Sequence, residues 1–332
     1  MLPRITSIKI EKLGAKNQLE FEIDSDPDDD PVIISNSTDD IEIQRNIANA
    51  LRVCFSGSSW FDLTTKLNTQ DWLPSSNLET KATGSVSVTI CNVNDQEYQL
   101  RREYHTLPTE YGSQRYVDPL HLSLPGESRA EYNSPHIRSN QVYPEQATMF
   151  SIIGPEPLIS RNAETGWKDL IELVDSAARK QAAAMDIRLP SYLSSKQKLG
   201  REILDQVNLH LSAIPRYKNS RVTTQAGELV LQQEIGDKLM KASPSTGHWT
   251  LVSHLTTLAA GGVLPSPPPL IGNSLFGRAN DLIQTQLLQA IESSDRQSIL
   301  LLTELEMERI ETDADFELTG TPDRHQIKAT QS

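Results

Sequence analysis

The sequence is short of positive charge, has few cysteines and contains no long apolar run. Its 332 residues include 31 Lys and Arg against 44 Asp and Glu, so the formal net charge is -13. This balance argues against long-range attraction to nucleic acid or anionic lipid, although it does not exclude a local basic face. No window approaches the ~20 apolar residues of a membrane-spanning helix, and the N-terminus lacks a signal-peptide pattern. We therefore expect a soluble, cytoplasmic protein that does not act at a membrane.

Cysteine and histidine are too sparse and too scattered for a metal site or a disulfide framework. Cys54 and Cys91 are far apart in the sequence and lie in apolar contexts, which favours two buried thiols in a reducing compartment. The seven histidines show neither an H-E-x-x-H motif nor paired metal spacing. We predict no metal site and no cofactor.

The N-terminal part of the chain has the element order of a phosphate-binding loop. Alternating apolar residues at 5–10 and 19–23 predict a hairpin, and the apolar run at 32–34 predicts a buried strand. A polar loop follows, in which Asp39 and Glu42 have capping-box spacing. Helical spacing is then shared by Ile43, Ile47, Ala50 and Leu51.

Helices and strands are predicted along the rest of the chain, with one irregular part. Further strands are expected at 86–90, 97–101, 227–231, 270–271 and 298–303, and helices at 167–185, 194–214 and 281–291. Residues 106–145 are rich in Pro, Ser, Tyr and His with little periodicity, which predicts an irregular surface excursion. Residues after 313 are polar and are expected to fray.

One segment of the C-terminal half indicates a family. A small-residue turn at 245–247 leads through Trp249 into an apolar helix. A proline-rich connection at 265–269 follows, and then a short apolar run that ends in Asn273 and Ser274. This order resembles the C-terminal half of an ABC-type ATPase head of the SMC, RecF and RecN class. In that class a signature turn (L-S-x-G-E/Q) opens a helix, and a strand ending in Asp-Glu, the Walker B motif, comes after it.

The resemblance implies an α/β fold with mixed sheets, an N-terminal antiparallel part, a P-loop-like strand–loop–helix and a helical insertion. It divides the chain into an N-terminal lobe at 1–160, a helical pair at 161–215, a C-terminal lobe at 216–312 and a polar tail at 313–332. A long coiled coil leaves SMC heads near the helical pair, but no sustained heptad repeat occurs here. A compact, RecF-like arrangement is therefore expected rather than an SMC-like rod.

The phosphate-binding loop lacks the residues that its chemistry needs. Such a loop uses glycines to expose backbone N–H groups, a Lys for the β and γ phosphates, and a Ser or Thr for magnesium. Under the resemblance, Ile41 takes the Lys position and Glu42 the Ser/Thr position, and no glycine occurs within 15–56. Asp39 and Asp40 add carboxylates where a triphosphate would sit; like charges 4 Å apart repel by ~4 kcal/mol at an effective dielectric of 20. The simpler alternative is that Asp39 only caps a helix.

The Walker B position also lacks its acids. Hydrolysis needs an Asp for the magnesium shell and a Glu that orients or deprotonates water. Here Asn273 and Ser274 stand in their places. Asn280 replaces the aspartate of the D-loop, and Glu304 falls where the family has a switch histidine.

The signature-like turn is better preserved. Ser245, Thr246 and Gly247 would expose backbone N–H groups at a helix start, a generic anion site. In the family this turn contacts nucleotide that is held by the opposite head of a dimer, so these residues and Trp249 are the predicted partner-binding residues. The alternative is an ordinary helix N-terminus with Ser245 as N-cap and Trp249 packed inward as core.

The basic cluster at 216–221 is the other candidate site. It has an aromatic residue, Tyr217, among its cations, as phosphate-backbone sites often do. The ordinary alternative for one short cluster in an acidic protein is a solvated loop.

Three functions remain at this level. The first is a catalytically inactive SMC/RecF-like head, a pseudo-ATPase that acts as an accessory or regulatory subunit in DNA repair or chromosome maintenance. Its partner would be an active head or its own copy, and it would meet nucleic acid only indirectly. The second is a stand-alone α/β interaction module whose acidic surface binds a basic protein, and the third is a working ATPase with rearranged motifs. The first requires 32–34, 270–271 and 299–303 to be neighbouring strands of one sheet, whereas the second does not.

Overall fold

Two large sheets, one small sheet and a set of helices make up the described part of the computed structural model. The structure describes residues 4–11, 19–23, 31–37, 44, 47, 50, 51, 54, 82–91, 97–109, 112–117, 121–123, 130–131, 152–153, 166–235, 238–242, 246–273, 281–294, 296–321 and 324–329. The strands are β1 (Arg4–Glu11), β2 (Leu19–Glu22), β3 (Val32–Asn36), β4 (Ala82–Cys91), β5 (Glu97–Thr109), β6 (Gly112–Val117), β7 (His121–Ser123), β8 (Ala130–Glu131), β9 (Ile152–Ile153), β10 (Ser220–Gln225), β11 (Glu228–Ile235), β12 (Lys238–Lys241), β13 (Leu270–Asn273), β14 (Ser298–Thr303), β15 (Phe316–Thr321) and β16 (Arg324–Ala329). The helices with described bounds are α1 (Gly166–Ala184), α2 (Lys196–Ala213), α3 (Thr246–Gly262), α4 (Asp281–Glu292) and α5 (Glu304–Ile310). None of the described helices has the length and apolarity needed to cross a membrane.

The first sheet is antiparallel and contains the N-terminal strands. Its order is β2-β1-β4-β5-β7-β8, and β6 also pairs with β5. The predicted hairpin of β1 and β2 and the predicted strand pair of β4 and β5 are both confirmed. A register shift between Ile5 and Ser7 brings Ile5 and Ile8 to the same buried side of β1, although simple alternation would place them on opposite sides.

The prediction of an irregular excursion over 106–145 is wrong for the described parts of that segment. β5 continues to Thr109, with Pro108 opposite Ser113 of β6, and β7 and β8 extend the sheet further. Antiparallel strands pair through their backbones and tolerate polar side chains. The strands of this segment pair despite their polar composition.

The second sheet holds the strands on which the family resemblance depends. Its order is β16-β15-β3-β14-β13-β9. β14 lies parallel to both of its neighbours: Leu300 pairs with Ile33 on one side and with Gly272 on the other. β14 is buried from Ser298 to Leu302, as expected for a parallel strand that is covered on both faces. The strands predicted at 32–34, 270–271 and 299–303 are thus neighbours in one sheet, as the first hypothesis requires.

The C-terminal residues form strands where fraying was expected, so that expectation is wrong. β15 pairs in parallel with β3, and β16 pairs with β15. Asp315 holds this junction, because its Oδ2 accepts a hydrogen bond from Ile33 N at 2.7 Å and its own N–H donates to Ile33 O at 2.9 Å. The two residues are 282 positions apart, so local composition carries no sign of the pairing. The division into lobes remains a prediction.

The predicted helical pair is confirmed as α1 and α2. Residues at helical spacing on α1 and α2 are buried in one core cluster: Trp167, Leu170, Ile171, Val174, Ala178, Leu199, Ile203, Val207 and Leu211. The helices approach closely at Gly200, where an added Cβ would meet the Trp167 ring at 3.4 Å. Ser195 caps α2 by accepting a hydrogen bond from Lys198 N at 3.2 Å.

The connection between α1 and α2 is fastened to the proline-rich segment. Tyr192 Oη donates to Val263 O at 3.1 Å. Gln181 makes two bonds to one residue, donating to Ser266 O at 2.7 Å and accepting from Ser266 N at 3.1 Å. The chain therefore closes here over a short turn, at the place where a coiled coil would leave an SMC head.

Side-chain amides join elements that do not share a sheet. Gln297, which is 3% exposed, accepts from Ile5 N at 2.6 Å and donates to Ile5 O at 2.9 Å. This pair connects the start of β1 to the start of β14 and so links the two large sheets. Asn208 of α2 makes the same pair of bonds to Val222 of β10: its Oδ1 accepts from Val222 N at 2.6 Å, and its Nδ2 donates to Val222 O at 3.0 Å. Each amide supplies one donor and one acceptor to a backbone that would otherwise be buried with unmet hydrogen bonds.

We predict that Gln297→Met lowers the free energy of unfolding by about 2 kcal/mol, because the methionine leaves the buried N–H and C=O of Ile5 without partners. Urea unfolding measures the change. Gln289→Met is the matched control, since Gln289 is exposed on α4 and its replacement should cost less than ~0.5 kcal/mol. Equal losses in the two variants would show that the amide does not join the sheets.

Candidate functional site

The carboxyl ends of β3, β14 and β13 meet at one edge of the second sheet. Asn36, the last residue of β3, pairs with Thr303, the last residue of β14. Asn273, the last residue of β13, pairs with Leu301. Because neighbouring strands lie ~4.8 Å apart, the ends of these three strands come together here. By the resemblance, they are the P-loop-like, switch-like and Walker-B-like positions.

The P-loop-like segment is placed by the elements on either side of it. β3 ends at Asn36, which is 5% exposed, and the next described positions from 44 onward are helical, with Ile47, Ala50 and Leu51 buried. The predicted succession of a strand and then a helix is therefore confirmed for the described residues. The degenerate P-loop positions Asp39, Asp40, Ile41 and Glu42 lie outside the described residues.

The Walker-B-like strand ends at the predicted residue. β13 spans Leu270–Asn273, so Asn273 is at the strand end, where the family has its aspartate. Ser274 and Asn280 lie outside the described residues. The backbone thus places an amide residue, rather than an acid, at this edge.

The junction of β14 and α5 is a capping box. Glu306 Oε2 accepts hydrogen bonds from Thr303 N at 2.9 Å and from Thr303 Oγ1 at 3.0 Å, and Thr303 Oγ1 accepts from Glu306 N at 3.2 Å. Glu306 is only 3% exposed, while Glu304, at the switch-histidine position, is exposed. The carboxylate that is hydrogen-bonded to the end of β14, that of Glu306, therefore caps the start of α5. The T-x-x-E spacing that predicts this cap was present in the sequence and was missed.

The signature-like turn stands at the start of α3. Thr246 and Gly247 are the first two residues of the helix, and Ser245 lies outside the described residues. Trp249 is half-buried against the main core, and its buried Nε1 has no hydrogen-bond partner among the described residues. From Leu251 to Gly261 every residue of α3 is buried, so α3 is an interior helix rather than an amphipathic surface helix. The arrangement favours an inward-packed Trp249.

Comparisons with known proteins agree with this geometry. No family model matches the sequence, and no curated protein is similar to it at a significant level. Solved structures do match. An SMC head bound to the C-winged helix domain of ScpA is 12% identical with a TM-score of 0.59, and 98% of this chain and 97% of that chain are covered. An SMC head from Pyrococcus furiosus with an extended coiled coil, bound to the C-terminal domain of ScpA, is 11% identical with a TM-score of 0.56, over 99% and 96% of the two chains. The recombination mediator protein RecF is 10% identical with a TM-score of 0.54, over 99% of each chain.

The fold is that of an SMC/RecF-type ATPase head.

The carboxyl ends of β3, β14 and β13 form the edge at which the resemblance would place a nucleotide, and we call it the nucleotide edge. Its described side chains are neutral or acidic. They are Asn36, Ser37, Thr303, Glu304 and Glu306. Ser37 Oγ donates to Leu318 O at 3.2 Å, so its hydroxyl is engaged by β15. The described part of the edge therefore presents no lysine or arginine to a phosphate.

The basic cluster at 216–221 differs from both sequence interpretations. Pro215–Tyr217 forms a short 3-10 helix, and β10 begins at Ser220. Tyr217 is 3% exposed and belongs to the core, so its ring is not available to stack on a base. The three cations of the cluster, Arg216, Lys218 and Arg221, are exposed.

Cys54 is unsuited to nucleophilic chemistry. Its thiol is fully buried, and burial raises its pKa to about 12, with Arg102 opposing part of the effect. Arg102 Nε donates to Cys54 O at 2.8 Å. A thiol with this pKa is protonated at neutral pH and is therefore unreactive.

We predict that Thr303→Val lowers the free energy of unfolding by ~1–2 kcal/mol, because the hydroxyl that caps α5 and donates to the buried Glu306 carboxylate is lost, while the backbone N–H of residue 303 still donates to that carboxylate. Thr303→Ser, which keeps the hydroxyl, should retain most of the stability. Thr224→Val is the control, since Thr224 is exposed on β10. If the serine variant loses as much as the valine variant in urea unfolding, methyl packing rather than capping explains the effect.

Proposed function

We propose that this chain is a catalytically inactive SMC/RecF-like head that acts as an accessory or regulatory subunit in chromosome maintenance or DNA repair. One observation carries the proposal. β3 and β13 are both neighbours of β14, and by the resemblance the segment between Asn36 and Gln44 would be the P-loop and Asn273 would stand in the Walker B motif. At these positions the sequence has neither the lysine nor the acids that nucleotide hydrolysis needs.

The charge at this edge supports loss of nucleotide binding. A bound triphosphate is held by backbone N–H groups, a lysine and a magnesium ion. Here Asp39, Asp40 and Glu42 stand in the loop, and Glu304 is exposed at the end of the neighbouring strand. These carboxylates would repel the phosphates, and no glycine in the loop would expose backbone N–H groups.

A protein partner is part of the proposal. The SMC heads with which this chain shares its fold are described in complex with ScpA domains, which supports a protein-binding role here. By the resemblance, the surface at the start of α3 would face another head, either an active one or a second copy. Thr246 and Gly247 would form the contact, with Trp249 packed beneath them.

The rival hypothesis of an unrelated α/β interaction module is less well supported than the head. It did not require β3, β14 and β13 to be adjacent, yet they are neighbours in one sheet. A working ATPase with rearranged motifs would need new residues to hold phosphate and magnesium, and the described edge offers none with a positive charge.

We predict that the protein neither hydrolyses ATP nor binds Mg-ATP tightly. Isothermal titration calorimetry with millimolar nucleotide should give no saturable heat, because the cation and the magnesium-binding acid are missing. RecF, whose structure is known with ATP, is the positive control under the same conditions. A dissociation constant in the low micromolar range, equivalent to about -8 kcal/mol, would contradict the proposal.

A second prediction concerns docking at α3. Affinity capture of the full-length protein from its native host, analysed by mass spectrometry, should recover an ATPase head. Thr246→Arg should lower that recovery at least tenfold, equivalent to ~1.4 kcal/mol, because a bulky charge then stands in the contact. Thr224→Arg, on an exposed position of β10, should leave the recovery unchanged. Unaltered recovery with Thr246→Arg would place the docking surface elsewhere.

A further inference from the structure

The small sheet ends in a strand whose outer edge has no partner among the described residues. Its order is β10-β11-β12, and the whole of β12 is exposed. Leu239 is 44% exposed, Met240 is 53% exposed, and Ile235 at the end of β11 is 58% exposed. We call Ile235 together with β12 the edge patch. Large aliphatic side chains beside an open strand edge are a template for another chain.

The antiparallel ladder determines which backbone groups of β12 face outward. Just after β12, Ala242 N donates to Leu231 O of β11 at 2.9 Å. Backbone groups alternate between the two sides of an antiparallel strand, so Met240 also faces β11. The N–H and C=O groups of Leu239 and Lys241 therefore point toward the open edge, where an added strand would bind.

The edge patch itself carries two lysines and no acid, although the protein as a whole carries a net charge of -13 and the exposed Glu234 of β11 lies opposite Leu239. Lys238 and Lys241 are both exposed on β12. Across the sheet, Glu234 pairs with β12 and donates through its N–H to Asn219 O at 2.8 Å. The exposed Lys218, next to Asn219, is thus about two strand spacings (~10 Å) from β12.

A second cross-strand row adds to this charge. Arg221 pairs with Gln232, which in turn pairs with Lys241, so the three side chains lie on one face of the sheet. Arg221 Nε donates to Gln232 Oε1 at 3.4 Å. The fold therefore unites two basic segments, 216–221 and 238–241, only the first of which was singled out from the sequence.

We propose that the edge patch docks an extended acidic segment of a partner protein, which adds to β12 as a further strand. The open N–H and C=O groups would hold its backbone. The exposed aliphatic side chains would pack on apolar residues of the segment, and Lys238 and Lys241 would pair with its carboxylates. The surface is separate from the nucleotide edge, so the proposal does not depend on the loss of ATP chemistry.

Other occupants fit this surface less well. A single-stranded nucleic acid needs aromatic faces for its bases, whereas Tyr217 is buried and the edge patch exposes aliphatic groups. A second copy that aligned the whole of β12 antiparallel to itself would set lysine against lysine, which is destabilising. An acidic protein segment satisfies both the charge and the apolar surface.

Lys238 and Lys241 are three residues apart on β12, so they lie on opposite faces of the strand. The test therefore uses the full-length protein and the fluorescein-labelled hexapeptide EELLEE, which as a strand presents glutamate and leucine on both faces. Fluorescence anisotropy should show saturable binding that the variant Lys238→Glu/Lys241→Glu weakens at least tenfold. Lys168→Glu/Lys198→Glu is the matched control, because these lysines are exposed on α1 and α2 and their replacement makes the same change in net charge. The control should alter affinity less than twofold, and since all four positions are exposed, the thermal melting points should stay close to that of the wild type.

Two measurements test strand addition itself. The peptide is made in two forms, each N-methylated at every second residue, in opposite registers. One form should lose binding at least tenfold, because its donors to β12 are blocked, while the other should bind like the parent peptide. Hydrogen exchange followed by NMR should show slower exchange of the Leu239 and Lys241 amides when the parent peptide is bound.

Several outcomes would overturn the proposal. Absence of peptide binding would do so, as would equal weakening by the two double variants or binding of both N-methylated forms at unchanged affinity. A DNA duplex of ~20 base pairs that binds at physiological salt and is released by Lys238→Glu/Lys241→Glu would make the patch a nucleic-acid site. Concentration-dependent dimers in sedimentation velocity that this variant abolishes would make it a contact between copies.

Discussion

Backbone pairing of β14 with β3 on one side and β13 on the other is the constraint on which the rest of the structure depends. These strands come from distant parts of the sequence, so their pairing brings three separate loops to one edge. It also creates two faces that must both be covered. Leu300 and Leu302 belong to the core cluster that they share with α1, α2, α3 and α4, while Ile299 and Leu301, also buried, point to the opposite face. Everything that identifies the fold follows from this central strand.

A parallel sheet leaves buried backbone groups at its borders, and this chain satisfies several of them with side chains. Gln297 joins the antiparallel sheet to the start of β14, and Asp315 joins β15 to β3. Gln181 holds the proline-rich connection in the same manner. Each of these side chains bonds to one backbone residue. The two glutamine amides each supply a donor and an acceptor, and the Asp315 carboxylate accepts a charge-assisted hydrogen bond, which is stronger than a neutral one. The sheets are thus held to one another by contacts outside the nucleotide edge.

The sequence was informative wherever an element carries its own pattern. The apolar run of β14, the helical spacing of α1 and α2 and the alternation of β1 and β4 each reflect local burial. Elements whose burial depends on a distant partner gave no such signal, and β15 is the clearest case. β10 and β12 were missed for a related reason: they are short, largely polar, and paired only through β11. At the candidate site, the strand ends could be predicted because the order of the elements could be predicted. The inward packing of Trp249 and the proximity of the two basic segments could be seen only in the folded structure.

Two contacts that hold the sheet lie away from the P-loop-like segment. The capping box at Thr303 and Glu306 satisfies the end of β14 with protein groups, and Asp315 fixes β15 to β3 near the amino end of β3. Both contacts are made by residues outside that segment, so they do not depend on which side chains the segment carries. The edge patch, in turn, places cations and aliphatic side chains together on an exposed ribbon where they add little to stability. A surface of that kind contributes mainly when another molecule covers it. Under the proposed function, such binding would replace nucleotide chemistry as the activity of the head.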